Sequence, residues 1–154
     1  EKVFKKGLSD KVQSGSSFEK QKRRSMDTVN SGIKQDSNFL NLKEIPQNKV
    51  RSEINMLLVP GETFVQCFQT VRDQVIFTSK RVIVVNVQGL TGKKVSYFSY
   101  PYSNVLYFGI ETAGVLDIDS ELIMTFANGT VLQFDFKSRV EIKTICANIQ
   151  QYIL

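Results

Sequence analysis

Val71-Arg-Asp-Gln-Val-Ile-Phe-Thr-Ser-Lys-Arg-Val-Ile-Val-Val-Asn-Val-Gln-Gly-Leu-Thr-Gly-Lys-Lys94 is the stretch that decides the fold. It holds two β-branched runs, residues 74–78 and 82–87, split by the polar step Ser79-Lys80-Arg81. Short runs of Val, Ile and Phe broken by polar residues read as paired strands. The turn Gly89-Leu-Thr-Gly92 then leads into a third strand.

Working outward, the chain from 51 to 154 reads as one sheet built around that hairpin. Strands are expected over 63–70, 73–78, 81–87, 94–100, 104–111, 118–126 and 131–136. Pro101 stops the fourth of these, because it has no N–H to donate to a ladder. Upstream, residues 47–58 read as a short helical segment ended by Pro60-Gly61.

The last hairpin permits a register. A two-residue Asn128-Gly129 turn would set Leu122 opposite Asp135 and mix the two faces. A three-residue loop over 127–129 instead pairs Met124 with Leu132 and Leu122 with Phe134, on one buried face. A one-residue slip turns a strand inside out, so the expectation is a type I turn with Gly129 left-handed at a bulge.

After Ser138 the apolar period changes to about 3.6. Ile142, Ile145, Cys146, Ile149 and Ile153 share one stripe, which predicts an amphipathic helix over 140–152. Ser138 with Glu141 reads as its capping box. Seven strands followed by one helix fit a barrel or sandwich that the helix plugs.

Charge divides the chain into a basic polar N-terminal arm, 1–50, and a folded domain, 51–154. The arm holds eleven Lys/Arg against six Asp/Glu, whereas the remainder holds nine of each. Few aromatics and many Ser, Asn, Gln and Lys make the arm a conditionally ordered segment. Its two thin apolar stripes, Phe4/Leu8/Val12 and Met26/Val29/Ile33, cannot hold helices alone in water.

Composition excludes several function classes. His is absent, which removes the commonest general base and metal ligand. Cys67 and Cys146 lie far apart and form no metal or redox motif, so buried inert thiols are expected. No run approaches the roughly 18 apolar residues of a membrane span. The start, Glu1-Lys-Val-Phe-Lys-Lys6, lacks the apolar core of a secretory signal, and a cytoplasmic setting is expected. The missing initiator Met leads us to expect a trimmed chain or a fragment.

Particular words then carry a resemblance. Leu58-Val-Pro-Gly-Glu62, Val71-Arg-Asp73, Phe77-Thr-Ser-Lys-Arg81, Gln88-Gly-Leu-Thr-Gly-Lys-Lys94, Tyr100-Pro-Tyr102, Glu111-Thr-Ala-Gly114 and Asp117-Ile-Asp-Ser-Glu-Leu122 span essentially the whole folded part. Together they resemble the bacterial pleckstrin-homology-like (PH-like) family. The resemblance implies a mainly β domain, a partly open seven-stranded barrel capped by one C-terminal helix. It also implies ring-like homo-oligomers with a groove for protein or peptide ligands. Nothing about the arm, which is read as partly helical, is carried over.

Function reads first as a non-enzymatic interaction or scaffold module that self-assembles into a homo-oligomer and docks a protein or peptide. Asp117, Asp119 and Glu121 alternate and would crowd one face of an extended segment, where like charges repel. They serve a basic partner, a hard cation or only solvent; the basic partner could be a neighbour's arm carrying Lys20, Lys22, Arg23 and Arg24. A calcium ion would want six or more oxygens, which this spacing lacks.

The alternative is a peripheral membrane adaptor binding anionic lipid headgroups. Lys80, Arg81, Lys93 and Lys94 would be its anion contacts, with a charged strand end as their plainer role. Nucleic-acid binding by the basic cluster is not expected, since no aromatics are interleaved with it. Gly89-Leu-Thr-Gly-Lys-Lys94 fails as a phosphate loop, because only two residues separate its glycines and a strand follows. No catalytic pair, metal set or cofactor motif is read.

Overall fold

A computed structural model describes residues 36–112, 119–137 and 140–154. Its strands are β1 (Asp36–Ile45), β2 (Phe64–Gln69), β3 (Gln74–Thr78), β4 (Arg81–Gln88), β5 (Lys94–Pro101), β6 (Val105–Thr112), β7 (Ser120–Phe126) and β8 (Val131–Phe136). The helix α1 (Ile142–Ile153) follows. The strands form one sheet in the order β5-β4-β3-β2-β1-β8-β7-β6, so β5 and β6 are its two edges. The sheet is a partly open barrel, as the resemblance implies, with eight described strands where the sequence predicts seven.

The additional strand is β1, inside the segment that composition marks as an arm. Its apolar residues Phe39 and Leu42 are both buried although three apart, which no strand of strict period two allows. Asn41 resolves this with a left-handed φ of 58°, which breaks the alternation so that both side chains reach the core. Beyond the break, Lys43, Glu44 and Ile45 pair with Gln69, Phe68 and Cys67 of β2. On the other side, the Lys137 N–H donates to the Leu42 carbonyl, next to β8. One strand thus joins the two halves of the sheet.

Strands β3 and β4 are buried on both faces, which explains their unbroken apolar runs. Val75, Phe77, Val82 and Val84 point into the barrel, whereas Ile76, Ile83 and Val85 point outward. The outward set is covered by Ile54, Val50 and Leu58, from the segment between β1 and β2. That segment forms two 3-10 turns, Gln47–Lys49 and Ser52–Met56, rather than the helix predicted over 47–58. Val50 and Arg51 are extended between them, which leaves each turn too short to propagate an α-helix.

Inside the barrel, five Phe rings bridge the two halves. Phe77 lies 5.8 Å from Phe68 and 5.2 Å from Phe134, which stacks on Phe39 at 5.2 Å. Phe136 sits 4.7 Å from Phe68. Each fully buried side chain of this size contributes roughly 2 kcal/mol of transfer free energy.

The β7–β8 hairpin adopts the predicted register, with Leu122 opposite Phe134 and Met124 opposite Leu132. Gly129 has φ +87°, and its N–H donates to the Phe126 carbonyl at 2.9 Å. α1 buries Ile145, Cys146 and Ile149 against the barrel interior, with Ile142 and Ile153 half-covered beside them. It begins at Ile142, with Glu141 making no side-chain cap; Ser138 lies outside the described residues.

Candidate functional site

Several of the words that carry the resemblance meet in one network at one end of β4. The Glu62 side chain is fully buried and accepts both Nε and Nη2 of Arg81 at 3.0 Å. It also accepts the Val59 N–H at 3.1 Å and the Thr78 hydroxyl at 2.5 Å. Burial alone would raise the Glu62 pKa, but the Arg81, Thr78 and Val59 hydrogen bonds outweigh it and hold it below its ordinary value. Arg81 donates further to the Leu57 carbonyl and the Ser99 hydroxyl. Tyr102, also buried, donates to the Thr78 carbonyl at 2.8 Å. Pro-Gly-Glu, Thr-Ser-Lys-Arg and Tyr-Pro-Tyr are therefore parts of one structural lock.

The four basic residues grouped by sequence are not one cluster. Lys80 and Arg81 open β4, while Lys93 and Lys94 follow the turn after its far end. Seven residue steps of about 3.3 Å separate the two ends by roughly 23 Å. The Arg81 guanidinium is already engaged by Glu62. Lys80, Lys93 and Lys94 are exposed.

At the far end, the β2–β3 and β4–β5 turns are tied together. Arg72 donates to the Gly89 carbonyl, and the Asp73 carboxylate accepts the Val87 N–H at 2.9 Å. Gly92 adopts a left-handed φ of +64° in the β4–β5 turn. This bracing leaves Val71 and Leu90 fully exposed on neighbouring turn tips.

The acidic candidates gather more charge than the sequence reading gave them. Glu121 lies directly opposite Glu111 of β6 and opposite Asp135 of β8. Three carboxylates thus stand in one cross-strand row, with Asp119 beside them in the same shallow depression. The charge of Asp135, with burial and Glu111 adding to it, raises the Glu121 pKa. The Gln133 amide donates to Glu121 at 3.1 Å and to Asp135 at 3.3 Å. Glu111 and Asp135 were missed as site residues, yet the register legible at the last hairpin already sets Asp135 against Glu121. Asp117 and the basic Lys20, Lys22, Arg23 and Arg24 lie outside the described residues.

The two sheet edges differ in kind. β5 begins at Lys94 and ends at Pro101, both residues that discourage strand addition. β6, Val-Leu-Tyr-Phe-Gly-Ile-Glu-Thr, has neither Lys nor Pro. Leu106 is 58% and Tyr107 62% exposed, and Ile110 is also exposed.

The thiols of Cys67 and Cys146 are buried. Burial, with the Glu44 charge, pushes Cys67 up to about 11, and burial raises Cys146 also. Neither thiol is therefore an activated nucleophile. Among the described residues no group of His, Cys, Asp and Glu is arranged to hold a metal ion. No described helix is long and apolar enough to cross a membrane.

Comparisons with known proteins agree with this architecture. The chain is 47% identical over 73 residues to the uncharacterised Bacillus subtilis protein YjqA; the match covers 47% of this chain and 58% of that protein. The uncharacterised Bacillus subtilis protein YozO is 28% identical over 101 residues, 66% of this chain and 87% of that protein. Among solved structures, a duf1696 family protein with a pleckstrin-homology domain from Shewanella loihica superposes with a TM-score of 0.60 at 31% identity. It covers 74% of this chain and 98% of its own. A pleckstrin homology domain from Shewanella amazonensis superposes with a TM-score of 0.52 at 36% identity, over 71% of this chain and 90% of its own. The model of the bacterial PH domain family matches residues 34–153, which takes in β1 together with the barrel and α1. The chain belongs to the bacterial PH domain family.

Proposed function

We propose that this PH-fold module is non-enzymatic, self-assembles into a homo-oligomer through the β6 edge, and docks a basic protein or peptide segment on its acidic row. The observation that carries the reading is β6, an edge strand paired on one side only, by β7, with exposed Leu106, Tyr107 and Ile110 and no Lys or Pro. Such an edge is a template for another strand. A β6 edge meeting a different surface of a second copy is a head-to-tail contact, and head-to-tail contacts close into rings when the rotation permits.

The acidic row supports the docking half. Like charges directly opposite one another destabilise a sheet, and Lys or Arg side chains placed over Glu111, Glu121 and Asp135 would relieve that repulsion. Amide hydrogen exchange tests the assembly half. Free edge N–H groups exchange quickly, whereas paired ones are protected. Protection of β6 that grows with protein concentration is the expected result; fast exchange of β6 at every concentration contradicts it.

A further inference from the structure

The end of β5 and the β7–β8 turn border a notch of about 400 Å³, the size of an ordinary small-ligand pocket. Ser99, Tyr100 and Pro101 line it from β5, and Phe126, Asn128 and Thr130 from the hairpin. The Tyr100 and Phe126 rings, 5.5 Å apart, join the two sides. Asn104 completes the lining, and its carbonyl accepts the Ala127 N–H at 2.8 Å.

Every lining residue is uncharged, although 23% of the chain is charged, so a phosphate or carboxylate would find no counter-ion here. Burial raises the Tyr100 pKa, which keeps its phenol protonated. Arg81 Nη1 reaches the Ser99 hydroxyl at 3.1 Å, but that guanidinium is already neutralised by the buried Glu62.

The hydrogen bonds already made fix what is left to offer. The Thr130 N–H donates to Asn128 Oδ1 at 3.1 Å, so Asn128 Nδ2 keeps its two donors. The Ser99 oxygen accepts from Arg81, which leaves the hydroxyl proton to donate. The turn that carries Asn128 is itself pinned, by Phe126 N–H to the Thr130 carbonyl and Gly129 N–H to the Phe126 carbonyl, each at 2.9 Å. Thr130 is only 8% exposed, yet its hydroxyl has no hydrogen-bond partner among the described residues. Buried side-chain hydroxyls nearly always have one.

We propose that this notch binds a neutral hydroxylated ring, a pyranose sugar. Neighbouring sugar hydroxyls each donate and accept, which matches amide and hydroxyl groups able to do both. The apolar C–H face of the ring packs on half-buried Tyr100 and exposed Pro101. A peptide strand fits less well, because β5 ends in the notch at Pro101, which has no N–H to pair. The inference goes beyond self-assembly and basic-segment docking and shares no residue with either surface.

Saturation-transfer NMR on the full chain reads weak sugar binding directly. The probes are the methyl glycosides of glucose, galactose and mannose. The expected result is transfer to the ring C–H protons of at least one of them, unchanged by added salt because no ion pair forms. Thr130→Val, which keeps the shape and the backbone N–H, and Asn104→Ala should each weaken binding roughly threefold to tenfold, the loss of one hydrogen bond. Ser103→Ala, exposed in the 3-10 turn Tyr102–Asn104 but outside the notch, should bind like the unaltered chain.

Circular dichroism confirms that each variant is folded, and Thr130→Val should keep its Tm because the hydroxyl has no internal partner to lose. No transfer to any of these glycosides overturns the proposal, as does transfer that salt abolishes. Equal binding by Thr130→Val and Asn104→Ala, or an equal loss in Ser103→Ala, also overturns it. If a neutral unstructured peptide receives transfer while the glycosides do not, the notch is a peptide site and the sugar proposal fails. Tyr107→Lys with Ile110→Lys should bind the glycoside normally whatever its solution mass. Binding lost in that variant would put the sugar at a contact between copies and overturn its assignment to the notch.

Discussion

Glu62 and Arg81 face each other at the start of β4 as a two-pronged ion pair, Nε to Oε2 and Nη2 to Oε1, each at 3.0 Å. The carboxylate is fully buried and the guanidinium side chain 18% exposed. The pair ties the Pro60-Gly61 turn to the β3–β4 hairpin, and Thr78 extends it to Tyr102. Removing the acid strands a mostly buried cation. Glu62→Ala is therefore expected to destabilise the fold by about 3 kcal/mol, a loss of roughly 10 °C in Tm by thermal denaturation. An unchanged Tm would show that the lock holds nothing together.

The same pair sets an acid limit. Because the Glu62 pKa is lowered on folding, its contribution is present above the ordinary value of 4.5 and is lost as pH falls through the folded value. The stability difference between wild type and Glu62→Gln, measured by urea unfolding, should accordingly narrow on acidification below that range. A difference that stays constant down to pH values far below 4.5 contradicts the assignment.

Asn41 tests the joint between the two halves of the sheet. Its φ of 58° is reached by Gly without cost and by Asn at little, whereas Ala pays for its Cβ. Asn41→Gly should keep the wild-type Tm, and Asn41→Ala should cost about 1 kcal/mol. Equal effects of the two would mean that the left-handed backbone is not what places Phe39 and Leu42.

Repulsion across the acidic row makes the opposite kind of claim. Asp135 first, then burial and Glu111, raise the Glu121 pKa, so the charged row opposes folding at neutral pH and the strain fades as pH falls through that raised value. Glu121→Gln should raise Tm at neutral pH and give no gain in acid, where the carboxyl is already protonated. A drop in Tm at neutral pH would mean that the row is held by attraction rather than tolerated for a partner.

Most of the barrel was legible in the sequence because its strands are either apolar on both faces, like β3 and β4, or cleanly alternating, like β8. The register of the last hairpin was legible because only one loop length buries Leu122, Met124, Leu132 and Phe134 together. β1 was not, since the left-handed Asn41 destroys the period and the neighbouring polar residues match those of the arm. The 3-10 turns over 47–56 were mistaken for a helix because a single buried residue, Ile54, anchors the second turn and none anchors the first. For the site, nearness in sequence misled. Lys80 and Arg81 were grouped with Lys93 and Lys94 because they flank one hairpin, but an extended β4 separates the two pairs. Glu111 and Asp135 look remote from Glu121, yet strand pairing sets both opposite it.

The central claim is that the β6 edge builds an assembly, and the most direct test is the solution mass by light scattering. The chain is measured beside Tyr107→Lys with Ile110→Lys, which places two charges on the edge without touching the buried core. The account predicts a discrete multimer for the unaltered chain and a folded monomer for the double variant. A monomer in both, or a multimer that survives both substitutions, would contradict it.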